Sequence, residues 1–112
     1  MEKMTLKKRL ISGELIPAVI QDKSTGEVLM LAYVNWESFE VMQKEGVTCF
    51  WSRSRNELWR KGQTSGNVQV IETIQADCDE DTLLIRVEQI GNGACCRGTK
   101  TCFGENLYKR PD

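Results

Sequence analysis

Short apolar runs separated by polar turns constrain the fold of this chain more than any other feature of its sequence. Between residues 16 and 87 the runs have the length of ordinary β-strands, and several alternate with polar residues. The predicted strands cover residues 16–21, 27–34, 47–54, 58–61 and 68–75, followed by a strand in which Leu83, Ile85 and Val87 alternate. The alternation in the fifth strand places Val68, Val70 and Ile74 on its buried face. A polar turn at residues 22–26 predicts that the first two strands form a β-hairpin.

One segment carries clear helix signals. Asn35 is a good N-cap, Glu37 adds negative charge to the first turn, and Gly46 follows the last helical position, so a helix is predicted over Trp36–Glu45. A shorter amphipathic helix is predicted over residues 4–11. Together these elements predict one domain over residues 1–112, of the α+β class, mainly antiparallel and barrel-like, with one or two short helices.

The composition of the chain limits which classes of protein it can belong to and which groups can transfer protons. The net charge of −1 argues against a broad nucleic-acid or membrane-binding surface, and no run is apolar enough to span a bilayer. The basic start is not followed by the core of a signal peptide, so a cytoplasmic protein is expected. Because 112 residues bury only a modest core, dimerisation would stabilise the fold. The chain has no histidine, so proton transfer near neutral pH must use carboxylates, cysteines, lysines or metal-bound water.

Five cysteines in a reducing compartment are more often metal ligands or catalytic groups than disulfides. Cys78, Cys95 and Cys102 offer three thiolates for a zinc ion with one position left open, which is how catalytic zinc is held. Cys95 and Cys102 lie among glycines and charged residues, where no core is expected. Their spacing matches no standard zinc finger, and the alternative is that these cysteines act as small hydrophobic residues. That second role is the prediction for Cys49, which lies in an apolar stretch.

Three carboxylates surround Cys78. Asp77, Asp79 and Asp81 occupy alternate positions, so an extended turn would point them the same way and let them hold a hard cation such as magnesium or calcium. The spacing is not an EF-hand, because Thr82 stands where that loop requires glycine. The alternative is an acidic turn that is simply solvated.

Residues 51–55 and 59–67 combine arginines, a lysine, hydroxyl groups and glycines with two tryptophans. These groups bind phosphate, and a tryptophan could stack on a purine base. The candidate substrate-binding residues are Trp51, Ser52, Arg53, Arg55, Lys61, Thr64, Ser65, Gly66 and Asn67. One alternative is a basic strand that keeps a sheet edge soluble. Another is binding of single-stranded nucleic acid, which the charge balance disfavours.

Several of these segments together resemble the phosphoribosyl-AMP cyclohydrolase family of histidine biosynthesis. The matching motifs occur in family order: residues 26–33 (GEVLMLAY), 50–55 (FWSRSR), 58–59 (LW), 61–67 (KGQTSGN), 77–79 (DCD) with Asp81, Cys95, and 102–103 (CF). They cover nearly the whole chain, and their combination is far more specific than any one of them.

The resemblance implies hydrolysis of N1-(5-phosphoribosyl)-AMP, with a zinc-bound water attacking C6 of the purine and the N1–C6 bond opening. Carried over, Cys78, Cys95 and Cys102 match the zinc ligands, and Asp77, Asp79 and Asp81 match the magnesium ligands. The family is an intertwined homodimer whose zinc site is shared between chains, so Cys78 of one chain would meet Cys95 and Cys102 of the other. The partners implied are therefore a second copy and a phosphorylated purine nucleotide.

One position departs from the family pattern. Cys96 stands where the family has a histidine thought to move protons during ring opening, and Arg97 follows it. A thiol whose pKa is lowered by a metal or by Arg97 could act as the base, so Cys96 is the candidate catalytic residue. Cys96 could instead be a fourth zinc ligand, which would make the site structural. The departure leaves open two other functions: a paralogue acting on another purine ribonucleotide, and a non-catalytic, zinc-stabilised dimer that binds nucleotides.

Overall fold

Two helices and six strands make up the described part of the computed structural model, residues 5–95 and 98–111. In chain order they are α1 (Leu6–Ile11), β1 (Ile16–Asp22), β2 (Val28–Val34), α2 (Trp36–Glu45), β3 (Cys49–Ser52), β4 (Glu57–Arg60), β5 (Gln69–Ala76) and β6 (Leu83–Gln89). The α+β class and every predicted element are confirmed, with shifts of one to a few residues at most ends.

The strands form two sheets. The larger has the order β2-β1-β6-β5, and the smaller is the β3–β4 hairpin. All neighbours are antiparallel except β1 and β6, which run parallel, with Ala18 beside Leu83 and Asp22 beside Val87. The predicted barrel is wrong for the described residues, because β2 and β5 remain separate edges and the sheet does not close. A single antiparallel bridge between Val47 and Val70 brings the smaller hairpin beside β5.

Helix α2 lies where local signals predict it. The Asn35 side chain accepts a hydrogen bond from the Ser38 amide at 2.9 Å, and the Ser38 hydroxyl accepts one from the Asn35 amide at 3.0 Å. Gly46 ends the helix in the left-handed conformation, with φ of 74°, and its amide donates to the Met42 carbonyl. α1 and α2 have six and ten residues, whereas a membrane-spanning helix needs roughly 20. No helix in residues 5–95 and 98–111 could therefore cross a bilayer.

The core lies between the larger sheet and the other elements. Every second residue of β1, and of β6 as far as Val87, is buried, which follows from the two-residue repeat of a strand. The apolar residues among these pack in one cluster with Leu10 of α1, Met42 of α2 and Phe50 of β3. Cys49 is also in this cluster and fully buried, as predicted, and burial raises the pKa of its thiol.

The predicted face of β5 is confirmed for Ile74, which packs against the core, but is wrong for Val70. Val70 is 40% exposed, whereas Gln69 is fully buried and Ile71 packs against the core. The pairing with β6 shifts register between Ile71 and Thr73, so a β-bulge inserts one extra residue there. The bulge reverses the alternation, which is why Ile74 also packs against the core.

Candidate active site

The acidic turn between β5 and β6 brings its three aspartates together. Ligand oxygens of Asp77, Asp79 and Asp81 all lie within 4.8 Å of one another. The turn is closed by the Asp77 carboxylate, which accepts hydrogen bonds from the amides of Asp81 at 3.0 Å and Thr82 at 3.2 Å. Glu80 has a φ of 58°, which completes the tight reversal. The sequence-predicted convergence of these carboxylates is therefore present.

Mutual repulsion and hydrogen bonding shift the pKa values of Asp77 and Asp79 in opposite directions. Burial acts to raise the pKa of Asp77, but the amides of Asp81 and Thr82 outweigh it and hold that pKa below its usual value. The pKa of Asp79 is raised by its hydrogen bond with Asp81, by burial and by the neighbouring negative charges. Three close carboxylate oxygens fit a hard cation such as magnesium, whose charge would remove this repulsion.

A polar cleft of about 670 Å³ lies beside β4 and the loop that follows it. Its lining includes five of the predicted substrate-binding residues, namely Arg55, Lys61, Thr64, Ser65 and Asn67. Cys95 lines the same cleft, so a predicted zinc ligand and predicted phosphate-binding groups share one cavity. Glu57 lines this cleft as well, but the two cationic residues and the hydroxyl groups suit it to an anionic ligand.

The remaining predicted substrate-binding residues lie elsewhere. Trp51, Ser52 and Arg53 line a second cleft of about 530 Å³, and Gly66 lines neither cavity. The Arg53 guanidinium stacks over the Tyr33 ring at 3.8 Å from its centroid, a cation–π contact. Trp59 lines both clefts. Apart from Gly66, the predicted set is thus divided between two cavities that share one tryptophan.

Lys61 differs from Arg55, the other cationic residue that lines the cleft. Its side chain is buried, and its ammonium group donates a hydrogen bond to the Ala94 carbonyl. The same ammonium lies 5.3 Å from the centroid of the Trp59 ring. The charge of Lys61 is therefore directed at the segment that carries Cys95.

That segment is folded back on itself and docked on the β1–β2 hairpin. The Ala94 amide donates to the Lys100 carbonyl at 2.9 Å, and the Cys95 amide donates to the Thr99 carbonyl at 3.1 Å. Ala94 belongs to the core and Cys95 is only 6% exposed, so the expectation that no core reaches this part of the tail is wrong. Cys102 is exposed, and its amide donates to the Leu29 carbonyl at 2.7 Å.

Lys100 anchors the same segment through charge. Its ammonium lies 3.3 Å from a carboxylate oxygen of Asp22 and 3.2 Å from one of Glu27. The pKa of Asp22 is lowered, first by the hydrogen bond from the Ser24 amide and then by Lys100 and Thr25, against an opposing effect of burial. The tail is therefore held at the turn between β1 and β2.

Cys78 lies far from Cys102, another of the predicted zinc ligands. It is exposed in the acidic turn next to β5, at one edge of the larger sheet, whereas Cys102 lies beside Leu29 of β2, at the other edge. Three strand spacings of roughly 4.8 Å separate these edges by about 14 Å. The two positions also lie near opposite ends of β1, since Leu83 is level with Ala18 and Met30 is level with Ile20. One chain therefore does not bring the three thiols together, and Cys96 lies outside the described residues.

Sequence reasoning missed the groups that support the cleft wall. Gln69 is fully buried; its side chain donates to Gln89 at 2.8 Å and accepts from the Thr48 hydroxyl at 2.9 Å. Gln89 in turn donates to the Asn67 carbonyl at 3.0 Å, and the Asn67 side chain accepts from the Asn92 amide at 3.1 Å. The available signal was Gln69, a polar residue at a buried position of β5. Because the bulge was not predicted, this position was assigned to the exposed face.

Comparison with known proteins identifies the family of this chain. Residues 30–104 match the model of the family described as phosphoribosyl-AMP cyclohydrolase. The chain is 60% identical over 93 residues to the phosphoribosyl-AMP cyclohydrolase of Clostridium botulinum, covering 83% of this chain and 84% of that protein. It is 56% identical over 92 residues to the enzyme of that name from Desulfatibacillum aliphaticivorans, covering 82% and 74%. It is also 56% identical over 99 residues to the histidine biosynthesis bifunctional protein HisIE of Lactococcus lactis, covering 88% of this chain and 46% of that protein.

The match and the polar cleft define this protein as an enzyme of the hydrolase class. Since the family model covers most of the chain and the identities reach 60%, the chain belongs to the phosphoribosyl-AMP cyclohydrolase family. The resemblance that the motifs indicated is thereby confirmed.

Proposed function

We propose that this protein hydrolyses N1-(5-phosphoribosyl)-AMP in histidine biosynthesis, opening the purine ring between N1 and C6. The observation that supports this function best is the cleft in which Arg55, Thr64 and Ser65 lie on the same surface as Cys95. A phosphorylated purine nucleotide needs cationic and hydroxyl groups for its phosphates, and ring opening needs an activated water nearby.

The thiol groups divide between two subunits in this proposal. Within one chain, Cys78 lies at the opposite edge and the opposite end of the larger sheet from Cys102. A zinc ion would therefore be held by Cys95 and Cys102 of one chain together with Cys78 of a second chain. Thiolates suit zinc, which when bound would supply the Lewis acidity that activates water for attack on the purine. The protein would accordingly act as a homodimer, with neither chain holding a complete site.

The acidic turn holds the second metal in this proposal. Asp77, Asp79 and Asp81 would bind magnesium, since their oxygens already lie close together. Cys78 is the neighbour of two of these aspartates in the sequence, so the same turn would bring both metals to one site. When bound, magnesium would supply positive charge for the substrate phosphates.

The cleft residues bind and orient the nucleotide in this proposal. Arg55 would pair with a phosphate, and Thr64 and Ser65 would donate hydroxyl hydrogen bonds to its oxygens. Trp59 is 39% exposed and lines the cleft, so its ring offers a face on which the purine stacks. Trp51, Ser52 and Arg53, in the adjoining cavity, would contact the other end of an extended substrate.

Removing the metals provides the direct test. After chelation and removal of the chelator, we expect turnover of N1-(5-phosphoribosyl)-AMP, followed by ultraviolet absorbance, to fall at least about a hundredfold. Adding one equivalent of zinc per chain, with magnesium in excess, should restore it. Full turnover by protein whose metal content is verified as zero would contradict the proposal. Nucleotide binding without turnover in the zinc-loaded protein would favour the non-catalytic dimer, and turnover of a different purine ribonucleotide would favour the paralogue.

Cys96 is the proposed proton carrier, on the basis of its place in the sequence alone. Imidazole transfers protons efficiently near neutral pH, so we expect Cys96→His to preserve turnover or to raise it severalfold. The measurement is the same absorbance assay, with zinc content determined on each preparation. Loss of all turnover with zinc retained would show that the Cys96 thiol has a chemical role that histidine cannot fill.

A further inference from the structure

We propose that Lys61 is a positioning residue, which fixes the Cys95 segment against the cleft and does not bind a substrate phosphate. The inference rests on the proposed function only for the role of Cys95 in the reaction. The positioning role itself is argued from the contacts that Lys61 makes.

The first observation is where the ammonium group of Lys61 lies. Lys61 follows the last residue of β4, and its amide donates to the Thr48 carbonyl at 3.2 Å, so the backbone is fixed at this point. The residue as a whole is only 8% exposed. A lysine that binds phosphate acts as an accessible point charge, whereas this one is enclosed and donates to the Ala94 carbonyl beside the Trp59 ring.

The second observation is that the peptide groups of Ala94 are held from two sides. The Ala94 amide donates to the Lys100 carbonyl, and the Ala94 carbonyl accepts from Lys61. This carbonyl belongs to the peptide bond that leads directly into Cys95. A rotation of that peptide would move the Cys95 backbone, so the hydrogen bond from Lys61 restricts where the thiol lies in the cleft.

The third observation concerns the other attachment of this segment. Lys100 pairs with Asp22 and Glu27, and the Cys102 amide binds the Leu29 carbonyl, so these contacts all reach the β1–β2 hairpin. Lys61 supplies a contact to the β3–β4 hairpin, which belongs to the other sheet. The segment therefore bridges the two sheets, and removal of the Lys61 ammonium would release it on one side.

The test measures the reactivity of Cys95 in the metal-free protein. Lys61→Met keeps the length and apolar stem of the side chain but removes its charge and donors. We expect alkylation of Cys95 by iodoacetamide, resolved by peptide mass spectrometry, to be at least tenfold faster in Lys61→Met than in the parent. Lys61→Arg, which keeps a donor, should stay within about threefold of the parent. Lys44→Met removes an exposed lysine from α2 and should leave the rate unchanged.

Cys49 provides an internal control for unfolding, because it is fully buried in the core. The proposal requires the Cys95 rate to rise relative to the Cys49 rate in the same sample. Equal increases at both cysteines would show general loosening of the fold and would overturn the proposal. A Cys95 rate within twofold of the parent would overturn it as well.

Steady-state kinetics then separate positioning from phosphate binding. For a positioning residue, Lys61→Met should lower kcat at least tenfold and reduce the zinc bound per chain, with KM within about threefold of the parent. A raised KM with unchanged kcat and zinc content would instead identify a phosphate ligand. Because alkylation requires neither metal nor turnover, failure of the proposed function would leave the alkylation result interpretable.

Discussion

Replacing Cys78 with alanine should remove bound zinc and lower turnover of N1-(5-phosphoribosyl)-AMP by at least about a thousandfold, because a three-ligand site that loses one thiolate holds its metal poorly. Cys102→Ala should have the same effect. Metal analysis on purified protein measures the zinc, and ultraviolet absorbance measures the turnover. The two losses are expected together, since bound zinc would supply the Lewis acidity that the proposed hydrolysis requires.

Mixing the two variants tests whether the site is shared. If Cys78 of one chain completes the site of the other, a hybrid dimer of Cys78→Ala and Cys102→Ala chains contains one intact site and one doubly defective site. Random assortment of equal amounts makes half the dimers hybrids, so about a quarter of the parent activity should return after the chains are unfolded and refolded together. No recovery, with hybrids demonstrated by native mass spectrometry, would contradict a shared site.

Cys49→Ala is the matched control for these cysteine substitutions. Cys49 packs in the core and is fully buried, so the change should lower the melting temperature modestly while zinc content and turnover per folded chain stay unchanged. Full zinc content in Cys78→Ala would reject the ligand assignment, whatever the activity of that variant.

Substituting Gly62 with alanine should destabilise the protein by at least about 3 kcal/mol, enough to lower its melting temperature by more than about 10 °C. Gly62 has a φ of +80°, and a Cβ there would lie 2.3 Å from the Val68 nitrogen and 2.4 Å from the Asn67 carbonyl carbon. These are backbone atoms, so the clash is relieved only by moving the loop away from the chain that leads into β5. Thermal and urea unfolding followed by circular dichroism measure the effect.

Gly66→Ala is the control that separates backbone strain from the clash. Gly66 has nearly the same φ, +82°, but no neighbouring atom would lie within 4 Å of an added Cβ. Only the cost of the left-handed conformation applies, about 1 kcal/mol. Equal destabilisation by the two substitutions would show that the close approach of the loop to Val68 is absent in solution.

The elements that sequence reasoning predicted correctly are those fixed by neighbouring residues. Asn35 and Gly46 cap α2 through hydrogen bonds that span only three or four residues, so their signals are local. The barrel and the burial of Val70 in β5 were predicted wrongly for the opposite reason. Pairing of β1 with β6 and the bulge near Glu72 depend on contacts between distant parts of the chain, which no local pattern reveals.

In the candidate site, too, local features were predicted and features that depend on distant contacts were not. The residue types of the acidic turn and the cleft were readable, because carboxylates and phosphate-binding groups stand close together in sequence. Which of these residues share a cavity could not be predicted from the sequence. Arg53 stacks on Tyr33 in one cavity and Lys61 binds Ala94 in another, and both partners lie distant in sequence.

The parallel alignment of β1 with β6 also affects how the chain folds during synthesis. Translation releases β1 and β2 early, and these strands can pair as soon as they emerge. The other neighbour of β1, β6, is made only after four further elements. Such non-local pairing is slow because a long loop must close first. On the ribosome, the open side of β1 is therefore an edge that other nascent chains or chaperones can contact until β6 arrives.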